Sequence, residues 1–259
     1  MILDGALILI ALLSLSALLI SAIVRIRAAQ QGIVLPADLQ QLDQALQLRL
    51  IGVDGFLAYI VLQNLIFVAI PVVRTRIVRR ESLATLGLTL RRPLRMVGYG
   101  LVAGIVLLAV NIVLGLIFAG LGVRQNQRAQ YPLFAGDYTG QFLFGLAVAT
   151  VVPFGEEVLA RGYIQSTLAR LVPHALGRWL AIIGSALVFA SAHLASASEG
   201  VIAVVVSTFW IGLALGWIRQ RTGSLLPTIV AHGVNNAVAV SAAIFCANNA
   251  EICRRAAGG

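Results

Sequence analysis

The sequence predicts an all-α fold, a polytopic membrane helix bundle with about seven or eight transmembrane helices. Three observations lead there. Of 259 residues, 59% are hydrophobic and 11% charged, with a mean hydropathy of +0.94, well outside the range of an ordinary soluble domain. Apolar runs of the length that crosses a hydrocarbon core recur along the chain. The basic residues, nineteen arginines and no lysine, stand mostly at the ends of those runs. Such placement orients membrane helices, so the net charge of +9 does not signal nucleic acid, and the lipid bilayer is the expected partner.

Seven spans follow from hydropathy: 5–24, 51–73, 96–122, 141–160, 179–195, 200–218 and 224–247. The first is preceded by Asp4 rather than a basic segment and has no A-x-A pattern before Arg25, which predicts a retained helix and not a cleaved signal peptide. Between spans one and two, Leu39, Leu42, Leu46 and Leu50 recur at helical spacing in a Gln-rich stretch, predicting a surface amphipathic helix. Segment 124–140 holds Pro132 and Gly136 and reads as a loop. The fourth span either continues to Leu171 or breaks at Pro153, which would give the eighth helix. Residues 1–95 read as N-terminal membrane helices with a basic loop, and 96–259 as the core holding the polar residues.

Arg74, Arg76, Arg79, Arg80, Arg91, Arg92 and Arg95 crowd the loop after span two and assign it to the cytoplasm. Alternation then puts Arg161, Arg170, Arg178, Arg219 and Arg221 on the same side, the N-terminus inside and the C-terminus outside. The all-arginine complement hints at a bacterial plasma membrane. Cys246 and Cys253 lie near the C-terminus; a local disulfide and two free thiols are both open readings.

Carboxylates are costly at membrane depth and usually serve a function there. Glu156 and Glu157 sit behind an uncharged run from Gln141 to Gly155. Glu157 and Arg161 are four apart, on one helix face, and suit an ion pair. Glu156 points about 100° away, free to act as a general acid or base. Phe189 and His193 share the same four-residue spacing, so the ring can orient the imidazole. His232 and Asn236 repeat it, placing two hydrogen-bond donors of the kind that hold an oxyanion on one face. Each pair alone also reads as ordinary polar helix packing. His174 lies in a polar loop without such context.

In order and spacing, Glu156-Glu157-x-x-x-Arg161, Phe189-x-x-x-His193 and His232-x-x-x-Asn236 resemble the motifs of the CPBP family. These are the CAAX-processing and bacteriocin-processing (Abi) membrane endopeptidases. The stretch Phe209-Trp210-Ile211-Gly212 through Gly216-Trp217 to Leu225 is similar as well, so the likeness covers about 140–245. One departure is Ala160, where family members commonly carry an aromatic residue before Arg-Gly. The resemblance implies an intramembrane protease acting on a membrane-associated protein or peptide. Glu156 would activate a water, assisted by His193; His232 and Asn236 would hold the oxyanion; Glu157, Arg161 and Phe189 would support them. It implies no required cofactor, with Zn²⁺ on Glu156, His193 and His232 as the metalloprotease-like alternative. The other readings of the chain are a non-catalytic scaffold or bacteriocin-immunity protein, and a proton-coupled transporter, for which no inverted repeat is found.

Overall fold

In a computed structural model, residues 2–123, 131–171, 175–194 and 199–256 are described, and they are almost entirely helical. The helices are α1 (Ile2–Gln30), α2 (Gln44–Val73), α3 (Pro93–Gly120), α4 (Tyr138–Glu157), α5 (Ser166–Leu171), α6 (Ala175–Ala192), α7 (Val201–Thr222), α8 (Leu226–Asn248) and the short α9 (Ala250–Ala256). Among the described residues, six are long and apolar enough to cross a membrane: α2, α3, α4 with its extension to Leu171, α6, α7 and α8. The remaining expected span, 5–24, lies within α1.

The segment between spans one and two differs from the expectation. It is not one amphipathic helix: α1 ends at Gln30, Gly32 turns the chain at φ 67°, and regular helix resumes only at Gln44 after one 3-10 turn at Leu39–Gln41. The helical spacing of its leucines still has a use. Leu39, Leu42, Leu46 and Leu50 converge on Val24 and Ala28 of α1, closing a small apolar cluster. Asp43 caps α2 by accepting from Leu46 N at 3.0 Å. Gly52 then breaks the helical path (φ 60°, ψ 173°), a conformation that favours glycine. Arg27 meets the carbonyls of Leu50 and Ile51 at 3.3 and 2.7 Å and pairs with Asp54, so one guanidinium staples α1 to the kink.

The fourth span continues to Leu171 rather than breaking at Pro153. Helix α4 runs through the proline and passes, as a π-helical segment over Val158–Gln165, into α5. Proline has no N–H for the carbonyl four residues back, which here is Ala149 O. Helix α8 exploits the spot: Gly233 comes so close that a Cβ there would lie 2.7 Å from Ala149 O. On the other flank of α8, Gly100 and Gly104 of α3 would meet Val230 and Val234 at 2.6 and 2.7 Å. Small residues thus let α8 lie close between α3 and α4, as expected where van der Waals packing drives helix association in lipid. Gly233→Leu is expected to force α8 off α4, lowering the thermal unfolding midpoint by the equivalent of about 1–3 kcal/mol; an unchanged midpoint would contradict this packing.

The arginine-rich loop gathers at one end of the bundle. Gly87 O accepts from Leu225 N at 2.9 Å, Arg219 donates to Thr85 O at 3.2 Å, and Arg79 reaches Thr167 Oγ1 at 3.3 Å. Arg170 grips Glu81 through two bonds of 2.6 and 2.7 Å and holds its carboxyl below the ordinary value. A depressed carboxyl pKa stabilises above the unfolded value and is lost as pH falls through the folded one, so this exposed tether weakens only in acid. At the opposite end Asn248 of α8 bonds Gln141 of α4 and the Gly136 amide, and a Cys246–Cys253 disulfide joins α8 to α9.

Candidate functional site

The site is built where α4 passes into its π-helical extension. Such irregular turns rotate side chains relative to a regular helix and recur at functional sites. Glu157 and Arg161 stand on either side of this junction, both with fully buried side chains, and form the expected ion pair: Arg161 Nη1 donates to Glu157 Oε1 at 2.7 Å. An unpaired charge here would be very costly, and a single hydrogen bond does not satisfy either group. The guanidinium face is covered by the Phe189 ring, 4.3 Å from Arg161 Cζ to the ring centroid.

His232 of α8 reaches both acids. Its Nδ1–H donates to Glu157 Oε1 at 3.0 Å, which turns the opposite nitrogen, Nε2, toward Glu156 Oε2 at 3.6 Å. A histidine whose one nitrogen is engaged by a carboxylate has the role of the other nitrogen set by that bond. Glu156 is the more accessible acid, with a side chain 19% exposed against 0% for Glu157. Its Oε2 has no hydrogen-bond partner in the chain.

His193 follows the last residue of α6 directly. Its Nδ1–H donates to Phe189 O at 2.8 Å, and the two rings are 4.7 Å apart. Phe189 also meets His232 edge-on at 5.8 Å. One phenyl ring therefore touches Arg161, His193 and His232, a wider role than the support of His193 expected from spacing. Both histidines reach the Phe189 ring although His193 lies eighteen residues beyond the first residue of α6 and His232 only six beyond that of α8. Helix α6 begins at Ala175, earlier than expected, so the helices cannot be parallel rods starting at one level.

Asn236 lies one turn beyond His232, and its Nδ2 donates to Val148 O on α4 at 3.2 Å. An amide nitrogen carries two hydrogens, so one remains for another acceptor. The neighbouring Asn235 faces the other way, accepting from Asn111 of α3 at 2.7 Å. Among the described residues, no three His, Cys, Asp or Glu side chains group as ligands of a metal ion. His174 lies outside the described residues.

Residues 138–238 match the family model of the type II CAAX prenyl endopeptidase Rce1-like proteins. The match covers less than half of the chain, and this segment resembles an Rce1-like domain. It spans α4 to the middle of α8 and contains Glu156, Glu157, Arg161, Phe189, His193, His232 and Asn236. No curated protein and no solved structure matches the chain.

Several neighbours of this site went unread in the sequence. Ser185 Oγ on α6 donates to Ala160 O at 2.9 Å, tying α6 to the π-helical segment. Asn64 of α2 is buried against Gly155: a Cβ on that glycine would lie 2.1 Å from Asn64 Oδ1. Tyr131, just before α4, packs on Phe144 at 5.3 Å, and burial pushes its phenol pKa up, reinforced by the Glu156 carboxylate. Asn64 was hidden because a single amide in an apolar run carries no periodic signal. Tyr131 was hidden because loop residues declare their neighbours only in three dimensions.

Proposed function

We propose that this integral membrane protein is an endopeptidase that hydrolyses a peptide bond of a membrane-associated substrate with Glu156 as general base. The observation that carries the reading is the asymmetry between the two adjacent acids. Glu157 is fully buried and bonded by both Arg161 and His232, whereas Glu156 has a side chain 19% exposed and an Oε2 with no hydrogen-bond partner in the chain. Neighbouring carboxylates in such different surroundings suit a division of labour between structure and proton transfer.

In this mechanism Glu156 takes a proton from water and the resulting hydroxide attacks the scissile carbonyl carbon. His193, held by the Phe189 carbonyl through Nδ1, helps to position that water through its other nitrogen. The tetrahedral oxyanion accepts from the second Asn236 N–H, and from His232 when its Nε2 also carries a proton. The proton on Glu156 passes to the amide nitrogen as the C–N bond breaks, leaving a new carboxylate and a new amine. Asn236→Ala is expected to lower the cleavage rate by roughly 10²–10³-fold with little change in substrate affinity, measured by single-turnover assay. The reaction needs no metal in this scheme; loss of cleavage on dialysis against a chelator, restored by Zn²⁺, would overturn that part.

The Rce1-like domain supports substrates cut near the C-terminus, prenylated ones included. In a bacterial plasma membrane, maturation of membrane-bound peptides or bacteriocins and turnover of membrane proteins belong to the same reaction class. The arginine-rich end supports a cytoplasmic loop 74–95. The disulfide at the opposite end, a bond of oxidising compartments, supports an extracytoplasmic C-terminus. The deciding experiment expresses wild type and Glu156→Gln in the native host and compares membrane peptides by C-terminal mass spectrometry. A discrete set of uncut precursors only in the mutant is expected. Identical profiles, with both proteins folded and inserted, would favour a non-catalytic scaffold.

A further inference from the structure

At the arginine-rich end, α6 and α7 diverge around a cleft of about 400 Å³, lined by Arg178, Trp179, Ile182, Trp217, Gln220 and Arg221. Its position is remote from Glu156: Arg178 lies eleven residues before Phe189 on α6, and Trp217 and Arg221 occupy the last turns of α7. Each wall contributes one arginine and one tryptophan. No acidic side chain lines the cleft, and neither arginine pairs with a carboxylate among the described residues. Three other cations of this end have intramolecular work: Arg79 meets Thr167 and Tyr163, Arg170 meets Glu81, and Arg219 meets Thr85. Arg221 instead lies over the Trp217 ring at 5.3 Å, which fixes one guanidinium while leaving its donors open.

We propose that this cleft binds the phosphate of an anionic phospholipid headgroup, with Arg178 and Arg221 as a two-sided clamp. Arginine forks match phosphate oxygens in pairs, and basic pockets between membrane helices at their cytoplasmic ends suit anionic headgroups. The size fits a headgroup, since small-ligand sites run from about 300 to 1,000 Å³. Trp179 and Trp217 are 54% and 44% exposed, as rings at the headgroup level of a bilayer are. They and Ile182 offer apolar surface to the glycerol and first acyl carbons, which a free phosphate ion would leave unused. Gln220 adds a neutral donor at the rim.

The clamp rests on this end of α6 and α7 alone, so it stands whether or not the protein cleaves peptides. The test uses the full-length protein carrying Trp210→Phe, so that Trp179 and Trp217 are the only indoles. It is placed in phosphatidylcholine vesicles doped with bromine-labelled phosphatidylglycerol or, separately, bromine-labelled phosphatidylcholine. Preferential quenching by phosphatidylglycerol is expected. Each arginine near an anionic surface is worth about a factor of five, so Arg178→Gln with Arg221→Gln should lower the preference roughly 20–30-fold. Equal quenching by both lipids overturns the proposal without recourse to any variant, as does a preference that survives the double substitution. Inorganic phosphate at constant ionic strength should not displace the lipid; displacement at millimolar concentration would mark a free-phosphate site and overturn the lipid assignment.

Discussion

Glu156→Gln is expected to reduce cleavage by about 10²–10⁴-fold, the span attributed to a positioned proton-transfer group, while the helix bundle stays intact. The substitution keeps the shape of the side chain and its hydrogen-bonding oxygen but removes the ability to take a proton. Because Glu156 Oε2 has no hydrogen-bond partner in the chain, neutralising it leaves no new charge stranded. The unfolding midpoint should therefore hold or rise. The cleanest measurement is a rate on a purified precursor. Full cleavage by pure, folded Glu156→Gln would end the proposed mechanism. Glu157→Gln tells the two acids apart: it should disturb both stability and rate, because Glu157 holds Arg161 and His232 in place.

Arg161→Ala is the substitution with the largest expected cost in stability. Both partners of the pair are completely buried, so removing the guanidinium strands a carboxylate that the His232 side chain also contacts. Breaking one side of a buried pair costs about 3–5 kcal/mol. Phe189 also loses the cation on its face, and with it one of the three groups that the ring holds together. Thermal unfolding in detergent should show a large drop in midpoint. The double variant Arg161→Met with Glu157→Gln should recover much of that loss, because no buried charge then remains uncompensated. A single variant as stable as wild type would mean the pair is better hydrated than its burial indicates. A double variant worse than the sum of the singles would mean the pair itself, rather than the stranded charge, supplies the stability.

The sequence by itself determined the class of the fold, the approximate limits of most of its apolar helices, and the Glu157–Arg161 pair. The physical reason is that these are local properties: spanning length follows from hydropathy, and residues four apart on a helix share a face wherever the helix is placed. The same periodicity misled at residues 25–49, where leucines at helical spacing belong to a chain that turns at Gly32 and closes an apolar cluster against α1. Leucine spacing reports which side chains share a partner; it does not report a continuous helix, since the 3-10 turn ends at Gln41 and α2 starts afresh at Gln44 behind the Asp43 cap. Tertiary structure alone decided which groups meet across helices. Pro153 lies within an unbroken α4, and α8 approaches the carbonyl it leaves unbonded because Gly233 and Gly100 have no side chains to hold the helices apart. That approach brings His232 between Glu156 and Glu157, and it sets Asn236 against Val148 O. The place of Phe189 between Arg161 and two histidines, and of Asn64 and Tyr131 around them, depends on distances between segments far apart in the chain. No periodicity within one segment encodes such distances.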